Sequence, residues 1–240
     1  MAFQQTKPIA LITGASRGLG LALARHLATD GWQLIITARS AEALETARTQ
    51  LNQYTPVTAI AGDVSHVAHR QAVAAVVQKM GELDVVVNNA SILGPSPQPN
   101  LLDYPLGVLE HVYRINVVAP LGILQAVQHH LKPNARIINV TSDAGTDAYP
   151  GWGGYGSSKA ALEHLSAILA AENPDWQIYW VDPGDMRTQM HQEAFPGEDI
   201  SDRPLPEESV PGFVELLAGN YPSGRYSARA LAAAKAEPVI

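Results

Sequence analysis

A chain of 240 residues, 46% hydrophobic and with no stretch of disordered composition, has room for one large α/β unit or two small ones. Having no cysteine excludes disulfides, iron–sulfur clusters and thiol chemistry, and removes the usual ligands of a structural zinc site. A net charge of −7 without any cluster of Lys and Arg argues against nucleic acid as a partner, and no apolar run reaches the roughly 18 residues of a membrane span.

In chain order, Met1 to Pro8 lacks the apolar core of a signal peptide, so a cytoplasmic protein is expected. Short apolar, β-branched runs then alternate with helix-length segments. Ile9–Thr13, Gln33–Ala38, Val57–Ala61, Leu83–Asn88, Arg136–Thr141 and Gln177–Val181 are predicted strands. Each is nearly continuous in hydrophobicity, the pattern of a parallel strand buried on both faces. Leu19, Ala22, Leu23, His26 and Leu27 recur at the spacing of one helix face, as do Leu162, Leu165, Ile168 and Leu169. Strand–helix alternation of this kind predicts a single doubly wound parallel-sheet α/β domain over residues 1–240. Prolines 183, 196, 204, 206 and 211 break the rhythm, and residues 185–213 are expected to form a substrate loop or lid.

The first strand runs directly into Thr13-Gly14-Ala15-Ser16-Arg17-Gly18-Leu19-Gly20. Glycines alone would suit any tight turn. Between a buried strand and an amphipathic helix they fit a Rossmann-type dinucleotide turn, where backbone approaches a pyrophosphate and the helix N-terminus offers free N–H groups. Nineteen residues past Gly20, the second strand ends in Arg39, where an NAD site would place a carboxylate for the ribose diol. An arginine there suits the extra phosphate of NADP(H), with Arg17 as its partner in a cationic cradle. A solvated surface arginine would read the same.

Tyr155 and Lys159 stand at i and i+4 on one helix face. An ammonium ~4 Å from the phenol contributes about 4 kcal/mol at an effective dielectric of 20, or roughly three pKa units, and is expected to bring the tyrosine near 7. Thirteen residues earlier Ser142 follows a strand end, where open α/β sheets bind ligands and a hydroxyl can orient a substrate oxygen. A turn-capping serine is the alternative.

Together these pieces resemble the short-chain dehydrogenase/reductase family, in the form of its NADP-dependent reductases. The matching residues are Thr13-Gly14-x3-Gly18-x-Gly20, Asp63-Val64, Asn88-Asn89-Ala90, Asn116, Ser142, Tyr155-x3-Lys159 and Pro183-Gly184-x3-Thr188, in order from residue 8 to about 190. The resemblance implies an NADP(H)-dependent oxidoreductase that moves a hydride between the nicotinamide and a small carbonyl or alcohol. Tyr155 would be the general acid/base, Ser142 the substrate orienter, and Lys159 the ligand of the nicotinamide ribose, with Asn116 holding a water that links Lys159 to solvent. Gly14, Ser16, Arg17, Gly18, Leu19 and Gly20 would line the pyrophosphate, and Arg39 the 2′-phosphate. Asp63 and Val64 would flank the adenine, and Asn89, Ala90 and Ser91 the ribose beside it. Pro183, Gly184, Met186 and Thr188 would dock the nicotinamide. Family members pair helices near Pro105–His130 and Gly153–Ala171, implying a homodimer, with a homotetramer as the larger assembly. Two departures stand out: Ser91 replaces the usual glycine, and the chain end offers only a short strand at Tyr221–Tyr226 before an alanine-rich stretch.

The eight histidines include the pairs His66/His69 and His129/His130, neither with a metal-site motif, and they are taken as surface or packing residues. Tyr149 and Trp152 are candidates for a substrate wall or for packing on a helix. Two rivals stand beside the reductase: an idle NADP-sensing protein of the same fold, and a sugar-nucleotide epimerase or dehydratase, for which the roughly fifty residues after Thr188 leave little room.

Overall fold

The predicted hydrophobic runs become strands whose successive side chains point to opposite faces, so a run apolar at every position needs a core on both sides. A computed structural model describes residues 7–236; the ends of the expected 1–240 unit, Met1 to Thr6 and Glu237 to Ile240, lie outside the described residues. Strands β1 (Ile9–Thr13), β2 (Gln33–Ala38), β3 (Val57–Ala61), β4 (Leu83–Asn88), β5 (Leu131–Val140), β6 (Gln177–Asp182) and β7 (Gly224–Ser227) form one sheet. Its order is β3-β2-β1-β4-β5-β6-β7, with every pair parallel. Ala10, Ile12, Leu34 and Ile36 face one core, with Leu23 and Leu27 of α1 (Gly18–Thr29) and Phe213 of α8 (Val210–Ala218). Ile9, Leu11 and Ile35 face the other, with Val73 and Val77 of α3 (Val67–Met80) and Ile123 of α5 (Ala119–Val127). The remaining helices are α2 (Ala41–Leu51), α4 (Leu106–Tyr113), α6 (Gly153–Glu172), α7 (Gln189–Ala194) and α9 (Ala228–Ala236).

Strand β5 starts before the predicted Arg136, and its register with β4 shifts between Leu83 and Val85. Pro133 has no N–H for the ladder and Asn134 takes φ 65°, so regular pairing resumes only at Arg136. Helix α6 corrects the expected Leu162/Leu165/Ile168/Leu169 face: Leu162 is buried but Ile168 is 42% exposed. The inward face instead holds Tyr155, Ser158, Lys159 and Ser166. Small hydroxyls pack there because the buried neighbours are polar: Asn116 Nδ2 donates to Ser158 Oγ at 3.0 Å and Asn139 Nδ2 to Ser166 Oγ at 2.7 Å. Of the expected 185–213 loop, residues 189–194 form α7, and residues 210–213 lie in α8, whose Val210 and Phe213 are buried in the core. At the chain end β7 pairs with β6 and the alanine-rich stretch is α9.

Candidate active site

A parallel sheet puts all its strand C-termini on one edge, and here that edge opens into a cleft of about 1010 Å³. The β1–α1 turn gives the cleft Gly14, Ser16, Arg17, Gly18 and Leu19, and the ends of β2 and β3 give Arg39, Asp63 and Val64. Asn89, Ala90 and Ser91 come from the end of β4, Tyr155 and Lys159 from α6, and Pro183, Met186 and Thr188 from the segment after β6. Gly20 is not on the cleft wall. It is buried beneath the turn, where an added Cβ would stand 2.5 Å from the Gly14 carbonyl oxygen and from Asn89 Nδ2. Gly14 has φ +68° and equally close packing, 2.9 Å to the Ala90 Cα. Asn89 holds this turn by donating from Nδ2 to the carbonyls of Thr13 and Gly14, at 2.9 and 3.1 Å.

The cleft fits a dinucleotide on its own features. Helix α1 starts without a side-chain cap, leaving N–H groups for an anion at the turn, whereas Ser40 caps α2. Arg39 is exposed on the cleft with no ion pair among the described residues. Burial works on the Asp63 carboxyl, but hydrogen bonds from Ser65, with His66 and Arg39 nearby, hold it below its ordinary value. Arg17 donates to Gln189 Oε1 of α7, so it ties the phosphate turn to the lid segment. Below the adenine side, His69 is buried and shares a 2.6 Å hydrogen bond with Thr37 Oγ1, a packing role in line with its expectation.

Tyr155 and Lys159 are 8% and 2% exposed in the first two turns of α6. The expected lowering of the phenol is not what the geometry gives. Burial, with Asp182 and Asp143 close by, pushes the Tyr155 phenol well above its ordinary value, and hydrogen bonds with Ser142 and Ser91 pull it back only in part. Lys159 Nζ lies 5.3 Å from the centre of the Tyr155 ring and donates to the Val140 carbonyl at 2.8 Å. Its charge is thus committed to a backbone oxygen, while burial pulls the ammonium down to about 8, with Glu163 opposing. Asn116 sits in a π turn, Arg114–Val118; it does not line the cleft, and its side chain is engaged by protein. Oδ1 accepts from Ser91 Oγ and the Ile92 N–H at 3.0 and 2.9 Å, and Nδ2 donates to the Ile92 carbonyl and Ser158 Oγ at 2.9 and 3.0 Å. The side chain therefore braces Ser91 and Ser158.

Beside the cleft lies a second cavity of about 340 Å³, lined in part by Ser142, Gly184, Tyr149 and Trp152. Tyr155 lines both spaces, as do Pro183, Met186 and Thr188. Trp152 packs edge-on to Tyr149 and Tyr155, with ring centres 6.5 and 5.9 Å apart, and against Phe195 at 5.8 Å. Sequence reasoning missed Asp143, Asp182, His191 and Phe195 on this wall. For the first two the signal was present: Asp182 directly follows one predicted strand and Asp143 follows Ser142 at the end of another. His191 and Phe195 arrive by the fold of α7, which no local pattern announces. Also missed was Arg225 of β7, whose Nη2 donates to the Ser142 carbonyl at 3.2 Å and whose Nε meets Glu163 Oε1 at 3.1 Å. Among the described residues no group of three or more His, Cys, Asp or Glu side chains is placed to share a metal ion, and no helix is long and apolar enough to cross a membrane.

A doubly wound parallel sheet with a glycine turn after β1, and a Ser–Tyr–Lys set at the far side of the same edge, defines a nicotinamide-dependent oxidoreductase. The short chain dehydrogenase family model matches residues 8–199, and the chain belongs to that family. It is 32% identical over 202 residues to a gluconate 5-dehydrogenase of Gluconobacter oxydans, covering 80% of this chain and 77% of that one. To a rhamnolipids biosynthesis 3-oxoacyl-[acyl-carrier-protein] reductase of Pseudomonas aeruginosa it is 38% identical over 175 residues, 68% and 66% of the two chains. A short chain dehydrogenase of Escherichia coli CFT073 solved with NADPH superposes with a TM-score of 0.85 at 27% identity, over 92% of this chain and 96% of that one.

Proposed function

We propose that this oxidoreductase uses NADP(H) and exchanges a hydride with a small carbonyl or alcohol, with Tyr155 as the general acid/base. The observation that carries the reading is the position of Tyr155 on the shared wall of the dinucleotide cleft and the smaller cavity. Bound in the cleft, the nicotinamide supplies or accepts the hydride. In the reducing direction Tyr155 Oη gives its proton to the carbonyl oxygen, so that hydride and proton together make the alcohol. Burial holds the phenol above its ordinary value, so the proton stays on Tyr155 until the incoming hydride turns the carbonyl oxygen into an alkoxide, a stronger base than the phenolate. Ser142 Oγ, which here donates its one O–H to Asp143 Oδ1 at 2.8 Å, turns that proton to the same oxygen when the carbonyl is bound. Lys159 meets the nicotinamide ribose, and Gly184 and Thr188 the carboxamide end. Arg39 takes the 2′-phosphate; the NADPH in the Escherichia coli structure supports that choice.

The name of the Pseudomonas aeruginosa relative places a carrier-bound acyl chain in its site. Here the 190–210 segment holds Glu193, Glu198, Asp199, Asp202, Glu207 and Glu208 against Arg203. An acidic rim repels an acidic carrier protein, and a free small molecule is the proposed substrate. The test is Tyr155→Phe. It is expected to bind NADPH within a few-fold of the parent and to lose 10²–10⁴ in turnover, about the span for a general acid. Turnover near that of the parent would sink the assignment of Tyr155, and a parent that oxidises no NADPH across a screen of carbonyl substrates would favour the idle NADP-sensing reading.

A further inference from the structure

The cavity beside Tyr155 has a charge pattern that the proposed reaction does not require. Asp143, Asp182 and Asp185 line it, and no Lys or Arg does. Four cations stand near. Arg225 is 3.1 Å from Glu163 and 3.7 Å from Asp182, and Arg203 is 3.9 Å from Asp185 while also paired with Asp202. Lys159 is held by the Val140 carbonyl behind Tyr155, and Arg229 by the Asp185 carbonyl. Asp143 has no ion pair among the described residues; it accepts from Ser142 Oγ, the Ala144 N–H and, at 3.1 Å, the Tyr149 hydroxyl. Asp143 is thus the wall carboxylate left to meet a cation from the cavity.

A further feature of the same cavity points to the same kind of ligand. Tyr149, Trp152, Tyr155 and Phe195 cluster on one wall, and aromatic faces attract cations, most strongly indole. His191 on the same lining adds no positive charge, since burial keeps its ring below the ordinary histidine value. A volume of about 340 Å³ admits a molecule with one ring or a short branched chain.

We infer that the substrate is a small ketone carrying a protonated amine, reduced to the amino alcohol, with the ammonium held between the Asp143 side of the cavity and the aromatic wall. The inference rests on the reading of Tyr155 as the acid of this site. The same carboxylates also lie toward the nicotinamide end of the cleft, so their charge has a second candidate use, in stabilising the oxidised cofactor ring, and the test must separate the two.

Three shape-matched aryl ketones serve as probes: one with a dimethylammonium side chain, one with a neutral isopropyl in its place, and one with a carboxylate. In NADPH-coupled assays kcat/KM is expected to be at least tenfold higher for the ammonium ketone than for the neutral one, and lowest for the carboxylate. Added salt and Asp143→Asn should each shrink the ammonium-to-neutral ratio. A ratio is the readout because a general weakening of Ser142 by that substitution cancels in it. Calorimetric binding of the same three ketones to Tyr155→Phe saturated with NADPH reads the order without chemistry. That order, with no turnover in the parent, would overturn the proposed reaction and leave the ligand class standing. Equal affinities, or a preference for the carboxylate of the kind the Gluconobacter relative's name suggests, would overturn the inference. So would an Asp143→Asn protein that loses NADP+ relative to NADPH while its ketone ratio stays fixed.

Discussion

Lys159 is a cation where a core would ordinarily take none, and its burial has a measurable sign. The fall from 10.5 to about 8 corresponds to roughly 3 kcal/mol of disfavoured charge. The folded chain gives up this proton more readily than the unfolded chain, so between pH 8 and 10 unfolding takes up protons and stability rises with pH. Tyr155 acts in the opposite sense above its ordinary value of 10, which closes the window. Denaturation midpoints across pH 8–10 are expected to climb in the parent and to flatten in Lys159→Met; parallel profiles would contradict the buried charge. The Tyr155-x3-Lys159 spacing was legible in the sequence, but the direction of the phenol's shift was not. It depends on Asp182, Asp143 and the depth of burial, which only the assembled fold decides. Arg39 was legible as well, because a strand end carries its own chemical logic. Arg39→Ala should weaken NADPH by about tenfold or more and leave NADH nearly unchanged, with added salt eroding NADPH binding selectively. Equal losses for both cofactors would make Arg39 a surface residue.

Among the elements, β7 and α9 do more than close the sheet. Arg225 clasps the Ser142 carbonyl, and Arg229 donates to the Asp185 carbonyl. Arg229 also lies under Gly184, where φ is +73° and an added Cβ would meet its Nε at 2.7 Å. Both turns that flank the substrate are thus buttressed from the last strand and helix. A short strand could be read from Tyr221–Tyr226, but not its reach to a turn 83 positions earlier, since pairing over that distance leaves no local pattern. Arg225→Ala is expected to lower kcat about tenfold with a smaller change in KM, because misaligned groups cost rate before affinity. Arg225→Lys should recover part of the loss while leaving Ser142 less well held; kcat within twofold of the parent in the alanine variant would rule this buttress out. Helix α7 is tied down at both its ends, by Arg17 to Gln189 and by Ser96 Oγ to the Glu193 carbonyl at 2.7 Å.

At the scale of the whole molecule, large apolar side chains stand exposed on the helices that the resemblance pairs across copies. Leu106 of α4, Val118 in the π turn and Ile168 of α6 are 73%, 54% and 42% exposed. Helices α4 and α6 are neighbours, and the exposed Ile168 is the residue that departed from the predicted helix face. We propose that these helices join two copies in a homodimer, as the family resemblance implies. Light scattering at micromolar concentration should give twice the chain mass, and Val118→Asp with Ile168→Asp should halve it while retaining the fold; a monomeric parent would end the proposal. Sequence patterning found the sheet because its strands are apolar at every position. It put Ile168 on the core face of its helix because an exposed apolar residue and a core residue look alike until the neighbours are known.

The grip of Arg225 on Ser142 also sets an order of events during synthesis. Residues lining the adenosine side of the cleft, from Gly14 to Ser91, leave the ribosome while β5, β6 and β7 are still unmade. A nascent chain can therefore assemble the β1–β4 part of its dinucleotide seat early, whereas the turn that aligns the substrate gains its last restraint only when β7 docks beside β6. The two halves of the sheet edge are therefore completed in sequence, with the Ser142 turn restrained last.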